Sequence, residues 1–270
     1  MLQRQLASSR SQAQRLIAAG VQWRVEAAGG PNAESPWKRI AKNSDELPPD
    51  AQIELLDASE ARYVSRGGLK LEGALLTSSV EVIGKTCLDV GQSTGGFTDC
   101  LLQRGAKLVV GVDVGQGQLH PSLREHPQVV ALEQVNAREL SASNLIANYL
   151  DITRASGTFD SSDGVANPFD ASFDLIVGDL SFISQTLVLP ALVLLLKPGA
   201  DLLMLVKPQF ELQPGQVGKG GIVKDAAMYT IVEQRIRDCY AGLGLDVKAW
   251  FESPIAGGDG NREFFVYATK

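Results

Sequence analysis

Cysteine and histidine are scarce in this chain. Its 270 residues hold three widely spaced cysteines, Cys87, Cys100 and Cys239, with no Cys-x-x-Cys pair, and two histidines, His120 and His126. That inventory excludes a disulfide framework and a clustered zinc site, and it forms no constellation resembling a nucleophilic triad. A reducing cytoplasm is the compartment it implies. Long hydrophobic runs are lacking as well. The most apolar stretch, residues 187–206, is interrupted by Pro190, Lys197, Pro198 and Asp201, whereas a membrane span takes about 20 mostly apolar residues. Residues 1–20 carry three arginines and no continuous apolar segment, so no signal peptide is expected. What is there suits a soluble chain. A hydrophobic fraction of 44% and a mean hydropathy of +0.01 fit a packed core, and the length fits one mid-sized α/β domain plus a smaller module.

The net charge of −6 is unevenly spread. Residues 1–42 hold seven basic side chains (Arg4, Arg10, Arg15, Arg24, Lys38, Arg39, Lys42) against Glu26 and Glu34, a net +5 that leaves −11 for the other 228 residues. Basic charge gathered at one end is the footprint of a nucleic-acid contact, although a solvated arginine-rich helix has the same composition. In that region a helix is expected over 8–20, capped by Ser9 or Ser11 and stopped by Gly20. Short strands are expected over 21–25 and 53–56, with a Gly/Pro/Asn turn region at 29–36 between them. The first unit therefore spans about residues 1–60 and a second one 61–270.

From Gly68 onward helices and strands alternate. Strands are expected at 86–90, 108–114, 129–132, 173–180, 202–206, 245–251 and 263–268, and several are continuously apolar, as strands buried on both faces of a parallel sheet should be. Helices are expected from Leu69 and over 97–104, 184–196 and 225–243, which makes the second unit an α/β doubly wound, mostly parallel sheet. Residues 149–172, rich in Ser, Asp, Gly and Asn, read as an exposed loop insertion. Only residues 252–262 separate the last two strands, too few for a helical crossover. The last strand should therefore run antiparallel to its neighbour, an ending that resembles class I methyltransferases rather than nicotinamide dehydrogenases.

The segment Leu88-Asp89-Val90-Gly91-Gln92-Ser93-Thr94-Gly95-Gly96-Phe97 reads as a strand, a glycine turn and a helix start, the place where α/β sheets bind ligands. Its G-x-x-x-G-G spacing departs from the G-x-G-x-x-G of pyrophosphate loops, which suits a cofactor without phosphates. Asp113 ends the next strand, where an acidic side chain accepts hydrogen bonds from ribose hydroxyls, or merely caps a turn. Asn136, after the third strand, could contact an adenine edge or form an ordinary Asx-turn. Asp179 and Lys207 each close an apolar strand at the same edge, with Lys70 in the first helix and Glu263 opening the last strand as further candidates. The basic, glycine-rich run 215–221 lacks a phosphate-loop register and reads as a flap.

Four motifs make a resemblance specific. They are Tyr63-Val64-Ser65-Arg66-Gly67-Gly68-Leu69-Lys70-Leu71, Asp89-Val90-Gly91 through Gly95-Gly96-Phe97-Thr98-Asp99-Cys100, Asp179-Leu180-Ser181-Phe182-Ile183-Ser184 and Lys207-Pro208-Gln209-Phe210-Glu211. Together they resemble the TlyA family, once called haemolysins and akin to FtsJ-type enzymes. The resemblance implies a small RNA-binding module joined to a Rossmann-like domain. It also implies S-adenosylmethionine as cofactor, held by Asp89, Gly91, Ser93, Gly95, Gly96, Phe97, Asp113, Asn136 and Asp179, and ribose 2′-O-methylation of cytidines in ribosomal RNA or ribosomal subunits. A Lys–Asp–Lys–Glu tetrad falls on Lys70, Asp179, Lys207 and Glu263. Arg10-Ser11-Gln12-Ala13 matches the family's RNA-facing helix, and Arg4, Arg15 and Arg66 join Arg10 and Ser11 as RNA contacts. Two departures stand out: the chain opens inside what should be the module's first helix, and residues 25–45 are longer and less regular than the family's tight turn.

A ribose hydroxyl is a poor nucleophile at neutral pH, so alignment and proton removal must both be supplied. The expected roles are Lys207 as base or hydroxyl activator, Asp179 as its orienting partner, and Lys70 and Glu263 as a supporting pair, with the Lys70 charge helping Lys207 to shed its proton. Three other readings compete: a catalytically silent ribosome-associated RNA-binding protein, a membrane-active haemolysin, and a dehydrogenase.

Overall fold

A computed structural model describes the chain except residues 5, 8, 9, 26–34, 41, 57–60, 156–168 and 259, and only the backbone of 11 and 153–155. After a 3₁₀ turn at Leu2–Arg4 come α1 (Arg10–Gly20), β1 (Val21–Arg24), β2 (Lys38–Arg39) and β3 (Gln52–Leu55). These strands form an antiparallel sheet in the order β2-β1-β3, and β2 is an element the sequence pattern did not announce. The proposed cap Ser9 and most of the 29–36 turn lie outside the described residues. Leu16, Val21, Ile40 and Ala7 make the small core of this unit.

The larger unit follows as α2 (Arg66–Ser78), β4 (Thr86–Val90), α3 (Gly96–Gln103), β5 (Leu108–Val112), α4 (Pro121–Arg124), β6 (Val129–Leu132), α5 (Ala142–Ala155) and β7 (Phe173–Gly178). It ends with α6 (Leu189–Leu195), β8 (Leu196–Val206), α7 (Pro208–Glu211), α8 (Ala226–Gly242), β9 (Asp246–Glu252) and β10 (Phe264–Thr269). Seven strands pair in the order β6-β5-β4-β7-β8-β10-β9. β4 to β8 are parallel, and their Val, Leu and Ile side chains are buried on both faces, which is why they read as unbroken apolar runs. β9 and β10 form the expected hairpin, but β10 inserts between β8 and β9 and runs antiparallel to both. The order reverses between β5-β4 and β7-β8, so a crevice opens above β4 and β7 at their carboxyl ends.

One expectation fails. Residues 149–155, read as the start of a loop insertion, are the last two turns of α5. Leu145 and Tyr149, one turn apart, pack on the core while Asn148 and Asp151 face outward, so the polar residues that suggested a loop form the wet side of a helix. Beyond the undescribed stretch the chain is buried again at Phe169, whose ring lies 4.5 Å from that of Tyr149.

Candidate active site

The glycine turn leaves β4 at Val90. Gly91 has φ +85°, and a Cβ there would sit 2.8 Å from the carbonyl oxygen of Asp179, so a side chain would force the β4 and β7 ends apart. Gly96, at the start of α3, lets the start of α2 approach: a Cβ there would come 2.2 Å from Ser65 Oγ. The turn is held over the sheet by the Gly91 amide donating to Val112 O at 2.9 Å, and Gly95 supplies the helix cap. Asp113 reaches in from the end of β5, its two oxygens accepting the Ser93 amide at 2.8 Å and the Gly115 amide at 2.7 Å.

Above this turn lies a cleft of about 350 Å³ walled by Gly91, Ser93, Asp113, exposed Val114, Asn136, Asp179 and Phe182. A recess of about 140 Å³ continues from it between Ser65, Gly67, Gly96, Phe97 and Lys207. Gly91, Ser93, Asp179 and Ser181 belong to both. Asn136 borders the cleft but also makes the Asx-type cap, its Oδ1 accepting the Arg138 amide at 3.1 Å. One candidate needs correction. Asp89 is fully buried behind the turn, accepting from Thr98 Oγ1 at 2.7 Å, so it braces the turn instead of meeting a ligand; burial pushes its carboxyl up to about 7. Phe97 borders the recess, but its ring is buried in the core, 6.3 Å from that of Phe265.

Four charged side chains converge beside the recess. Lys207 Nζ lies 2.6 Å from Asp179 Oδ1 as an ion pair, and its aligned hydrogen bond goes to Ser181 Oγ at 2.7 Å. Lys70 Nζ lies 2.5 Å from Glu263 Oε2, with only 8% and 3% of the two side chains exposed. Burial raises the Glu263 carboxyl above its usual range, opposed by the charges of Lys70 and of Lys207, which places the two pairs within electrostatic reach of each other. The structure brings Lys70 and Glu263 together as a pair, so the Lys70 charge reaches Lys207 with a carboxylate beside it.

Sequence reasoning did not single out Ser181, Val114 or Phe182 individually. Phe182 is 90% exposed, held at φ +63°, and its ring lies 5.0 Å from that of Phe210. Such an exposed aromatic in a left-handed conformation at the mouth of a cleft stands ready to stack on a flat group. The available signal was a phenylalanine three residues after a strand-end aspartate.

Among the RNA-contact candidates, Arg10 is exposed on α1, Arg15 is half-buried there, and Arg66 is half-buried at the start of α2. The Ser11 side chain lies outside the described residues. Arg4 is spent internally: its guanidinium donates to Ala51 O, to Pro48 O at 2.9 Å and to Pro49 O at 2.6 Å. Arg24 stacks over Trp37 at 4.6 Å, and Lys38 lies 5.4 Å from the Trp23 ring centre. His120 caps α4, and the 215–221 run forms two short 3₁₀ turns. Among the described residues no group of His, Cys, Asp and Glu could hold a metal ion, and no helix is long and apolar enough to cross a membrane.

Comparison with known proteins agrees with this arrangement. The 16S/23S rRNA (cytidine-2′-O)-methyltransferase TlyA of Mycobacterium tuberculosis is 40% identical over 271 residues, 99% of this chain and 87% of that one. Hemolysin A of Brachyspira hyodysenteriae is 34% identical over 96% of this chain and 93% of its own. A solved structure of a hemolysin-named protein from Streptococcus thermophilus superposes with a TM-score of 0.68 at 36% identity, covering 98% of this chain and 84% of that one. The family model for FtsJ-like methyltransferases matches residues 63–270, and the chain belongs to that family.

Proposed function

We propose that this chain methylates the 2′-hydroxyl of cytidine riboses in ribosomal RNA, using S-adenosylmethionine as methyl donor. The observation that carries the reading is Lys207: at the wall of the recess, its ammonium is paired with Asp179 and bonded to a hydroxyl oxygen, that of Ser181. A ribose hydroxyl entering the mouth takes the same kind of contact. The substrate itself follows from the TlyA relative's name, which specifies cytidine 2′-oxygens in 16S and 23S rRNA.

The residues fit the donor. The larger compartment sets the apolar Val114 and Val135 beside the Asp113 carboxylate, a match for a purine and its ribose, and each Asp113 oxygen keeps a lone pair beyond its one backbone bond. Gly91, Gln92, Ser93, Thr94 and Gly96 face the narrower recess, which suits the amino-acid portion. When bound, the donor supplies an electrophilic methyl carbon on a sulfonium.

The chain's own work is alignment and proton transfer. Lys207 holds the 2′-oxygen and, in its amine form, accepts its proton; Asp179 orients the lysine, and Lys70 with Glu263 forms the buried base of the site. Alignment is worth up to roughly 7–11 kcal/mol and proton transfer about 10²–10⁴-fold in rate. Residues 1–60 serve as an RNA-binding module whose exposed Arg10 meets phosphates, on free rRNA or on a ribosomal subunit, and residues 61–270 as the catalytic domain. A silent binding protein would have no use for two matched ion pairs at an open cleft. The hemolysin names of some relatives are the other reading, and purified protein should leave liposomes intact. Mapping ribose methylation in rRNA from cells with and without the protein tests the proposal: specific cytidines should lose the modification when the protein is absent, and an unchanged map would refute it.

A further inference from the structure

Asp179 and Lys207 sit just past the ends of β7 and β8, on two loops that these strands do not pair with each other, although the Asp179 amide still donates to Val90 O of β4 at 3.0 Å. β7 and β8 pair up to Gly178 and Met204, so pairing stops before Asp179 and before Lys207. Past that point, Asp179, Ser181 and Phe182 ride on the loop leaving β7, while Lys207 and Phe210 ride on the loop leaving β8 and α7. The Lys207 contacts to Asp179 and Ser181 and the Phe182–Phe210 contact are made by the groups that would themselves meet substrate. One further contact between these loops involves none of them.

Glu211, at the end of α7, is 4% exposed. Its Oε2 accepts from Ser184 Oγ at 2.5 Å and its Oε1 accepts from the Gln185 amide at 2.9 Å, both on the β7 loop. The two partners are anchored to the same support. Arg235 of α8 donates to the Glu211 carbonyl oxygen at 2.6 Å, and the fully buried Tyr240 of α8 donates to Gln185 Oε1 at 3.0 Å. Burial raises the Glu211 carboxyl, opposed by the Ser184 and Gln185 bonds and by the Arg235 charge. An apolar side chain would fill this place without desolvating a carboxylate, so stability alone does not account for it.

We propose that Glu211 is a positioning residue for methyl transfer: it clamps the loop carrying Asp179, Ser181 and Phe182 against the loop carrying Lys207, with α8 as the common base. This rests on the reading of Lys207 and Asp179 given above. Glu211 acts through Lys207, so its removal matters only where Lys207 is present to be aligned. The test is single-turnover transfer to rRNA by the full chain, with Glu211→Ala made alone and in a Lys207→Ala background, a cycle that isolates coupling. Glu211→Ala should slow the normal enzyme about tenfold or more, with KM for RNA and cofactor affinity within about twofold, the mark of an interaction that serves the transition state. In the Lys207→Ala background it should cost less than about twofold, and Glu211→Gln, which keeps an acceptor for Gln185, should recover most of the rate. An equal factor in both backgrounds, or an unchanged rate, overturns the proposal. Should Glu211→Ala not fold, Ser184→Ala carries the same test at about threefold in the normal background and no change beside Lys207→Ala, an equal factor again overturning it. Absence of ribose transfer by the unaltered chain would instead refute the functional reading itself.

Discussion

The seven-stranded sheet is backed by two large clusters of buried side chains, running from Tyr63 and Leu88 to Phe265 and Ala268, whereas the cluster in the unit of α1 and β1–β3 has four among the described residues, Ala7, Leu16, Val21 and Ile40. The contrast decides what each region can do with charge. Around the carboxyl ends of the strands Lys207 pairs with Asp179 at 2.6 Å on the wall of the recess, and Lys70 pairs with Glu263 at 2.5 Å in a buried position. The small unit, with little apolar surface to bury, recruits its charges as mortar: Arg4 ties the chain start to the 48–51 turn, and Arg24 lies over Trp37. Basic charge near the chain start is therefore only partly available to RNA.

The largest effect is expected where the larger unit is driest. Lys70→Ala leaves Glu263 buried without its cation and should lower unfolding free energy by about 3–5 kcal/mol, read from denaturant midpoints; a loss below about 1 kcal/mol would mean that the pair is not the buried prop described. Lys207→Ala, at a wetter position, should fold and bind cofactor but transfer methyl about 10²-fold or more slowly. Lys207→Arg should be nearly as poor, because a guanidinium does not take up the proton. A normal rate in the arginine variant would leave Lys207 an electrostatic role only.

Asp89 gives the sheet a pH signature. Its folded carboxyl, at about 7, lies above the ordinary value of 3.8, so the folded state keeps a proton that the unfolded chain releases. The stabilisation is full below about pH 4 and is lost as pH rises through 7, a change on the order of a few kcal/mol. Denaturation at pH 5 and pH 8 should show this decline, and Asp89→Asn should flatten it; equal slopes would place the pH dependence elsewhere. The smallest effects belong to the N-terminal unit. Arg10→Ala should weaken rRNA binding and lower the salt slope by about one unit while leaving stability alone. Arg4→Ala should do the reverse, lowering the melting temperature with little change in the salt slope. Matching behaviour of the two variants would erase the distinction between mortar and contact.

What could be read beforehand follows the same division. The strands from Thr86 to Gly178 and the 202–206 half of β8 were legible because burial on both faces demands unbroken apolar runs; the Lys-Pro-Gly start of β8 was not. The β9–β10 hairpin was legible because eleven intervening residues cannot form a crossover. The insertion of β10 between β8 and β9 was not, since pairing order is settled by tertiary packing. The family resemblance named Lys70 and Glu263, but their contact joins positions 193 residues apart, and no local pattern encodes it. Asp89 was misjudged because a strand-end aspartate looks the same whether it faces ligand or core. Arg4 was misjudged because its acceptors, the backbone carbonyls at 48, 49 and 51, leave no trace in side-chain identity.

The most direct measurement of the central claim is the chemical identity of the product. Purified protein, methyl-labelled S-adenosylmethionine and unmodified ribosomal RNA would be incubated, the RNA digested to nucleosides, and the label located by chromatography. The account predicts label in 2′-O-methylcytidine, strongly reduced with Lys207→Ala. Label on a base, or transfer unaffected by that substitution, would contradict it.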